Sequence, residues 1–111
     1  MKRIECIVRP IVMMDLEKEL NKVVSGITVT HVKGCGTQKG ETQMYRGAEM
    51  NINLLPKIKV EVIVPDNRVE EIVGIIQSVC RTGNIGDGKI FITTVEEAIR
   101  IRTGDTGEKA L

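Results

Sequence analysis

Aromatic side chains are nearly missing from this sequence: Tyr45 and Phe91 are the whole complement, and there is no tryptophan. A sheet of stacked rings for reading single-stranded nucleic acid is therefore excluded. An excess of one charge is missing too, since 16 Lys+Arg stand against 15 Asp+Glu for a net +1. The chain as a whole thus offers no electrostatic case for nucleic acid or an anionic membrane. Cysteine is sparse and odd in number (Cys6, Cys35, Cys80), with no C-x-x-C pair and one histidine, His31. Neither a disulfide framework nor a structural zinc site can be built from that set. Cys6 and Cys80 sit among apolar residues and read as core thiols of a reducing compartment. No apolar run approaches the roughly eighteen residues of a membrane span. The segment Met1-Lys2-Arg3-Ile4-Glu5 lacks the apolar centre of a secretion signal, so the expected location is cytoplasmic.

What the sequence does have is glycine, 11 of 111 residues, unevenly spread. A length of 111 with 41% hydrophobic and 28% charged residues predicts one globular domain, 1–111. Lys2 to Arg9 reads as a strand with Ile4, Cys6 and Val8 on one face and Ile7 on the other. Met13, Leu16, Leu20 and Val23 mark an amphipathic helix closed by Gly26. Ile27 to Val32 is rich in β-branched residues and predicts a second strand. Residues 36–54 show no sustained period and read as a long functional loop. Lys57 to Val64 alternates, with Ile58, Val60, Val62 and Val64 inward. Asn67 and Glu70 have capping-box spacing ahead of a helix carrying Val69, Ile72, Val73, Ile76, Val79 and Cys80, with Gly83 suited to its C′ position. Lys89 to Val95 is a fourth strand, followed by a tail at about 96–111. The order β-α-β-loop-β-α-β predicts an α+β, ferredoxin-like split βαβ fold. Apolar Ile7 and Ile63 on the sheet face away from the helices predict self-association.

Two glycine-rich segments carry chemistry. Thr82-Gly83-Asn84-Ile85-Gly86-Asp87-Gly88-Lys89 lets backbone N–H groups approach a phosphate, with a lysine at its end. It is not a Walker A loop, because a strand follows Lys89 instead of a Ser/Thr and a helix. Lys33-Gly34-Cys35-Gly36-Thr37-Gln38-Lys39-Gly40 has a similar character at the end of the second strand. With Arg100 and Arg102 the two loops supply several cations for one polyanion, which points to nucleotide binding. Tyr45-Arg46-Gly47-Ala48-Glu49-Met50 stands at the tip of the long loop and suits partner docking, or a plain Arg46–Glu49 charge pair. No nucleophile has a base at recognisable spacing and no acidic cluster has metal-ligand spacing, so no catalytic residues are assigned.

These blocks resemble the PII family of nitrogen-regulatory signal transduction proteins. Val32-Lys33-Gly34 through Gln38-Lys39-Gly40, Tyr45-Arg46-Gly47-Ala48-Glu49 through Leu55-Pro56-Lys57, Thr82 through Phe91, and Arg100-Ile101-Arg102-Thr103-Gly104 all agree, in order. The resemblance implies a homotrimer that binds ATP or ADP in clefts between subunits, senses 2-oxoglutarate together with Mg-ATP, and is not an enzyme. It implies that Gly86, Asp87, Gly88 and Lys89 hold phosphates, joined by Arg100 and Arg102 of a neighbouring subunit. Ile7, Thr28, Glu61 and Ile63 would line the adenine end, with Gly34, Cys35, Gly36 and Thr37 close by. Gln38 would serve Mg²⁺ and 2-oxoglutarate, with Lys39, Lys57 and Gly86 completing the 2-oxoglutarate site. Tyr45, Arg46, Glu49 and Met50 would form the loop that docks on an ammonium transporter or on a nitrogen-metabolism enzyme or regulator. Met50 stands where many bacterial members carry the modified tyrosine, and Ala48 where others carry a phosphorylated serine, so both modifications are expected to be absent. Cys35 replaces a usual aromatic and Thr37 a usual arginine. Those two positions keep open a related sensor of another ligand, such as AMP or bicarbonate; a small phosphohydrolase working from the same cleft is the remaining alternative.

Overall fold

The computed structural model describes residues 1–35, 42–45, 48–51 and 54–111, the two short middle stretches as backbone strands. The main sheet has four antiparallel strands: β1 (Lys2–Val8), β2 (Thr28–Gly34), β5 (Leu55–Val64) and β6 (Lys89–Thr94), in the order β2-β5-β1-β6. Between β2 and β5 the chain forms a two-stranded hairpin, β3 (Thr42–Tyr45) with β4 (Ala48–Asn51). The reading of 36–54 as a loop lacking strands is thus corrected over those eight residues: backbone pairing suffices even where side-chain alternation is weak. Helices α1 (Met13–Asn21) and α2 (Val69–Cys80) pack on one face of the main sheet. This is the expected ferredoxin-like arrangement.

Alternation dictates which face is covered. Ile4, Cys6 and Val8 of β1 and Ile58, Val60, Val62 and Val64 of β5 are all buried, against Leu16 and Leu20 of α1 and Ile72, Ile76 and Cys80 of α2. Full burial of each such aliphatic side chain contributes roughly 1.5–3 kcal/mol before entropy is counted. The register Cys6↔Val60 and Cys6↔Ile90 aligns the inward residues across three strands. On the opposite face the same register aligns Thr30, Lys59, Ile7 and Lys89 in one row, and Thr28, Glu61, Glu5 and Phe91 in the next. Glu5 and Glu61 are direct cross-strand neighbours, an unfavourable pairing by itself. Lys59 Nζ lies 3.7 Å from one and 3.8 Å from the other and offsets their repulsion.

The helix boundaries differ from the sequence reading in three places. α1 ends at Asn21 rather than running to Gly26, its last turn closed by Val23 and Val24 N–H groups donating to Leu20 O. α2 begins at Val69, after a 3₁₀ turn at Asp66–Arg68, and Asn67 makes no capping hydrogen bond. Pro65 starts that turn early and places Asn67 inside it, so the capping-box spacing is not used. The C-terminal end of α2 turns extended at Arg81 (φ −75°, ψ 125°), and the left-handed Gly83 (φ +87°) opens the following turn instead of capping the helix. Arg68 fastens the two helices together, donating to Val23 O and to the Glu71 carboxylate.

Candidate functional site

A cavity of about 440 Å³ opens where the ends of β1, β2 and β5 meet the turn before β6. Its wall is formed by Ile7, Gly34, Cys35, Lys57, Phe91 and the run Asn84 through Lys89. Strand register explains the assembly. Ile7 is opposite Lys89 on one side and Lys59 on the other, while Gly34 pairs with Leu55 two residues from Lys57. The wall is mainly apolar, with two ammonium groups and one carboxylate. That combination suits a ligand with a flat apolar part and an anionic part.

The turn 82–88 is built for close approach. Gly86 and Gly88 both have φ +103°, a region that side-chain-bearing residues rarely adopt. At Gly88 a Cβ would lie 1.8 Å from the Ile7 carbonyl oxygen, so no other residue fits against β1 there. Asp87 ties the turn to its own start. Its carboxylate accepts from the Thr82 N–H (2.8 Å), the Gly83 N–H (2.8 Å) and the Thr82 hydroxyl. The Thr82 hydroxyl leads among the causes that hold the Asp87 carboxyl down to about 2, followed by the backbone donors and then Arg9. Arg9, just past the end of β1, ion-pairs with Asp87 (Nη1 to Oδ1, 3.3 Å) and donates from Nη2 to Ile85 O at 2.6 Å. Lys57 Nζ donates to Gly86 O at 3.3 Å, and its pKa is lowered by desolvation and by the nearby Arg9 charge.

Of the residues singled out in the sequence, Ile7, Gly34, Cys35, Lys57, Gly86, Asp87, Gly88 and Lys89 converge on this one cavity. Thr28, Glu61 and Ile63 lie on the same sheet face as Ile7 but not in the cavity wall. Arg100 and Arg102 lie in a C-terminal turn, where the Arg100 guanidinium is engaged by Asp105 (3.5 Å) and by Leu111 O (3.2 Å). Gly36, Thr37, Gln38, Lys39 and Arg46, and the side chains of Tyr45, Glu49 and Met50, fall outside the described residues. Asn84, Ile85 and Phe91 are wall residues to which the sequence reading gave no role of their own, although Asn84 and Ile85 lie in the glycine-rich segment it singled out. Phe91 was legible, because it shares strand parity with Lys89. Arg9 was missed as well, and its position immediately after the Ile7 strand was the available signal.

A family model described as nitrogen regulatory protein P-II matches residues 1–105. The chain belongs to the nitrogen regulatory protein P-II family. It is 50% identical to the P-II protein of Azospirillum brasilense and 52% identical to that of Cereibacter sphaeroides, in both cases over 100% of each chain. Among solved structures it superimposes on GlnK of B. subtilis with a TM-score of 0.81, at 37% identity, covering 99% of this chain and 97% of the other. As a P-II protein it is a nitrogen-regulatory signal transducer. Among the described residues no helix is long and apolar enough to cross a membrane, and no group of three or more His, Cys, Asp or Glu could hold a metal ion.

Proposed function

We propose that this P-II protein is a non-enzymatic, effector-gated regulator that binds adenine nucleotides in the cavity between Ile7 and the 82–89 turn. The observation that carries the reading is the turn itself: two left-handed glycines, one pressed on β1, followed by Lys89 and flanked by Lys57. Phosphate oxygens would take the exposed amides and the ammonium groups, while the base would lie on Ile7 and its apolar neighbours. The Asp87 oxygens are occupied by Thr82, Gly83 and Arg9, so Mg²⁺ would arrive on the phosphates of ATP, with Gln38 as its protein-side partner. Lys57, with Gln38, Lys39 and Gly86, would hold 2-oxoglutarate alongside Mg-ATP.

Three copies would complete the site. Ile101 in the C-terminal turn is 99% exposed and Ile99 64% exposed. These two apolar groups share one turn with Arg100 and Arg102, and packing of that turn against a neighbouring subunit in a homotrimer would cover them. The segment around Tyr45, Arg46, Glu49 and Met50 would dock on an ammonium transporter or on a nitrogen-metabolism enzyme or regulator. Met50 has no hydroxyl for nucleotidylation. Effector control requires that ATP, ADP and 2-oxoglutarate favour different states of that segment.

Calorimetry with ATP, ADP and AMP tests the reading, followed by titration of 2-oxoglutarate with and without Mg-ATP. Saturable binding of ATP and ADP, with 2-oxoglutarate bound only beside Mg-ATP, is the expected result. No heat from any nucleotide at millimolar concentration would sink the nucleotide site. ATP binding without any 2-oxoglutarate coupling would favour the second reading, a sensor of another ligand, which rests on Cys35 and Thr37. Steady phosphate release abolished by Lys89→Ala would instead reveal the phosphohydrolase.

A further inference from the structure

We infer that Arg9 is a positioning residue that sets both the shape and the charge of the 82–88 turn, acting through Asp87 rather than by touching the ligand. The inference rests on the nucleotide reading for its consequence, and on the geometry of the turn alone for its cause.

A carboxylate in the wall of an anion-binding cavity needs explanation, since an uncompensated charge there repels phosphate. Asp87 is compensated from two sides. Thr82 and Gly83 donate to it from within the turn, and Arg9 reaches it from the end of β1. The second arm of the same guanidinium donates to Ile85 O at 2.6 Å. One planar cation thus holds the backbone on one side of Gly86 and the carboxylate on the other, a two-point grip that an ammonium group cannot reproduce. Only about a quarter of the Arg9 side chain is exposed (24%), and Asp87 is similarly shielded (21%), so screening by solvent is incomplete. Among the described residues, the other charged groups near the turn are Lys57, which donates to Gly86 O, Lys89, which follows it, and Arg81, which precedes it and shares a second hollow with Asp87 and Lys89 on the helix side. Cys80 lies close enough for the Asp87 charge to raise its thiol pKa further. With Asp87 neutralised by Arg9, the ammonium groups of Lys57 and Lys89 set the sign of the potential that an anion meets.

The test is a charge-removal logic on the full-length protein. Arg9→Gln should weaken ATP binding, measured by calorimetry, by at least about tenfold, because a carboxylate is left exposed to the phosphates. Asp87→Asn alone should weaken binding less than Arg9→Gln does, since an asparagine oxygen still accepts from both amides. The decisive variant combines Arg9→Gln with Asp87→Asn and should regain most of the lost affinity. A double variant as weak as Arg9→Gln would overturn the inference, because Arg9 would then serve the ligand directly. Unchanged affinity in Arg9→Gln would overturn it too. Hydrogen exchange at the Thr82, Gly83 and Asp87 amides, read without nucleotide, separates this inference from the nucleotide reading. If the wild type binds no ATP, the nucleotide site falls while faster exchange in Arg9→Gln still supports the grip, and unchanged exchange overturns it. Should Arg9→Gln fail to fold by circular dichroism, Arg9→Lys takes its place. That variant should fold, exchange faster than wild type and bind ATP more weakly; wild-type exchange in Arg9→Lys would overturn the two-point grip.

Discussion

The α-carbon of Gly88 lies so near the Ile7 carbonyl that a methyl group added to it would sit 1.8 Å from that oxygen. Gly88 also has φ +103°, so substitution there meets backbone strain and a backbone clash together. Gly88→Ala should destabilise the protein by at least about 2 kcal/mol, read from chemical denaturation. Gly83→Ala, which meets nothing within 4 Å, should lose only the strain of its positive φ, about 1 kcal/mol.

Lys89 is exposed at the mouth of the cavity and packs in no core cluster. Lys89→Ala should leave the melting temperature within a few degrees of wild type. It should weaken ATP binding by roughly 10- to 100-fold, the usual worth of a hydrogen bond to a charged group. Loss of stability without loss of affinity would remove Lys89 from the site.

The three thiols should divide cleanly. Cys6 and Cys80 are buried, and burial leads the causes that push their pKa values up to about 12 and about 11. Cys35 is exposed in the cavity wall. One equivalent of a thiol reagent should react with the native protein and three with the unfolded chain. Saturating ATP should slow the single native reaction, and equal labelling of all three thiols in the native state would contradict the core assignment.

Asp87 gives the turn a defined acid limit. Its native pKa is depressed to about 2, below that of a free carboxylate, so its contribution is complete above about pH 4. That contribution is lost as pH falls from about 4 towards 2, when protonation breaks the contacts to Thr82, Gly83 and Arg9. Exchange at the Thr82 and Gly83 amides, corrected for intrinsic rates, should therefore lose protection over that window in wild type and show no such step in Asp87→Asn.

Leu16 is fully buried between α1 and the sheet. Leu16→Ala should cost about 2–5 kcal/mol by thermal or urea unfolding, with the higher end expected if the surrounding Ile4 and Ile72 do not collapse into the space.

Much of this fold could be read from alternation. Ile4, Cys6 and Val8, or Ile58 to Val64 in steps of two, can face one side of a sheet only, and the helical stripe of Ile72, Ile76 and Cys80 has one partner to bury against. The start of α2 could not be read so well, because Pro65 imposes a 3₁₀ turn that competes with the capping spacing of Asn67. The β3–β4 hairpin was hidden for another reason: Thr42–Tyr45 and Ala48–Asn51 are four residues each, too short for a period to register. At the site, the glycines and Lys89 announced themselves as a local run. Arg9 did not, since its partners Ile85 and Asp87 are reached only when β1 and β6 pair. Local chemistry is written locally; a brace between distant segments is not.

The strand order β2-β5-β1-β6 places the first strand of the chain inside the sheet, with the last strand at one edge. No hairpin made of neighbouring segments contains both Ile7 and the 82–89 turn, so no early folding unit can bring the two sides of the cavity together. Closing the β1–β6 ladder demands the longest loop in the domain and should come late on the folding path. A newly made chain would thus be blind to the cavity's ligand until its last strand has docked, and ligand capture would serve as a readout of completed folding.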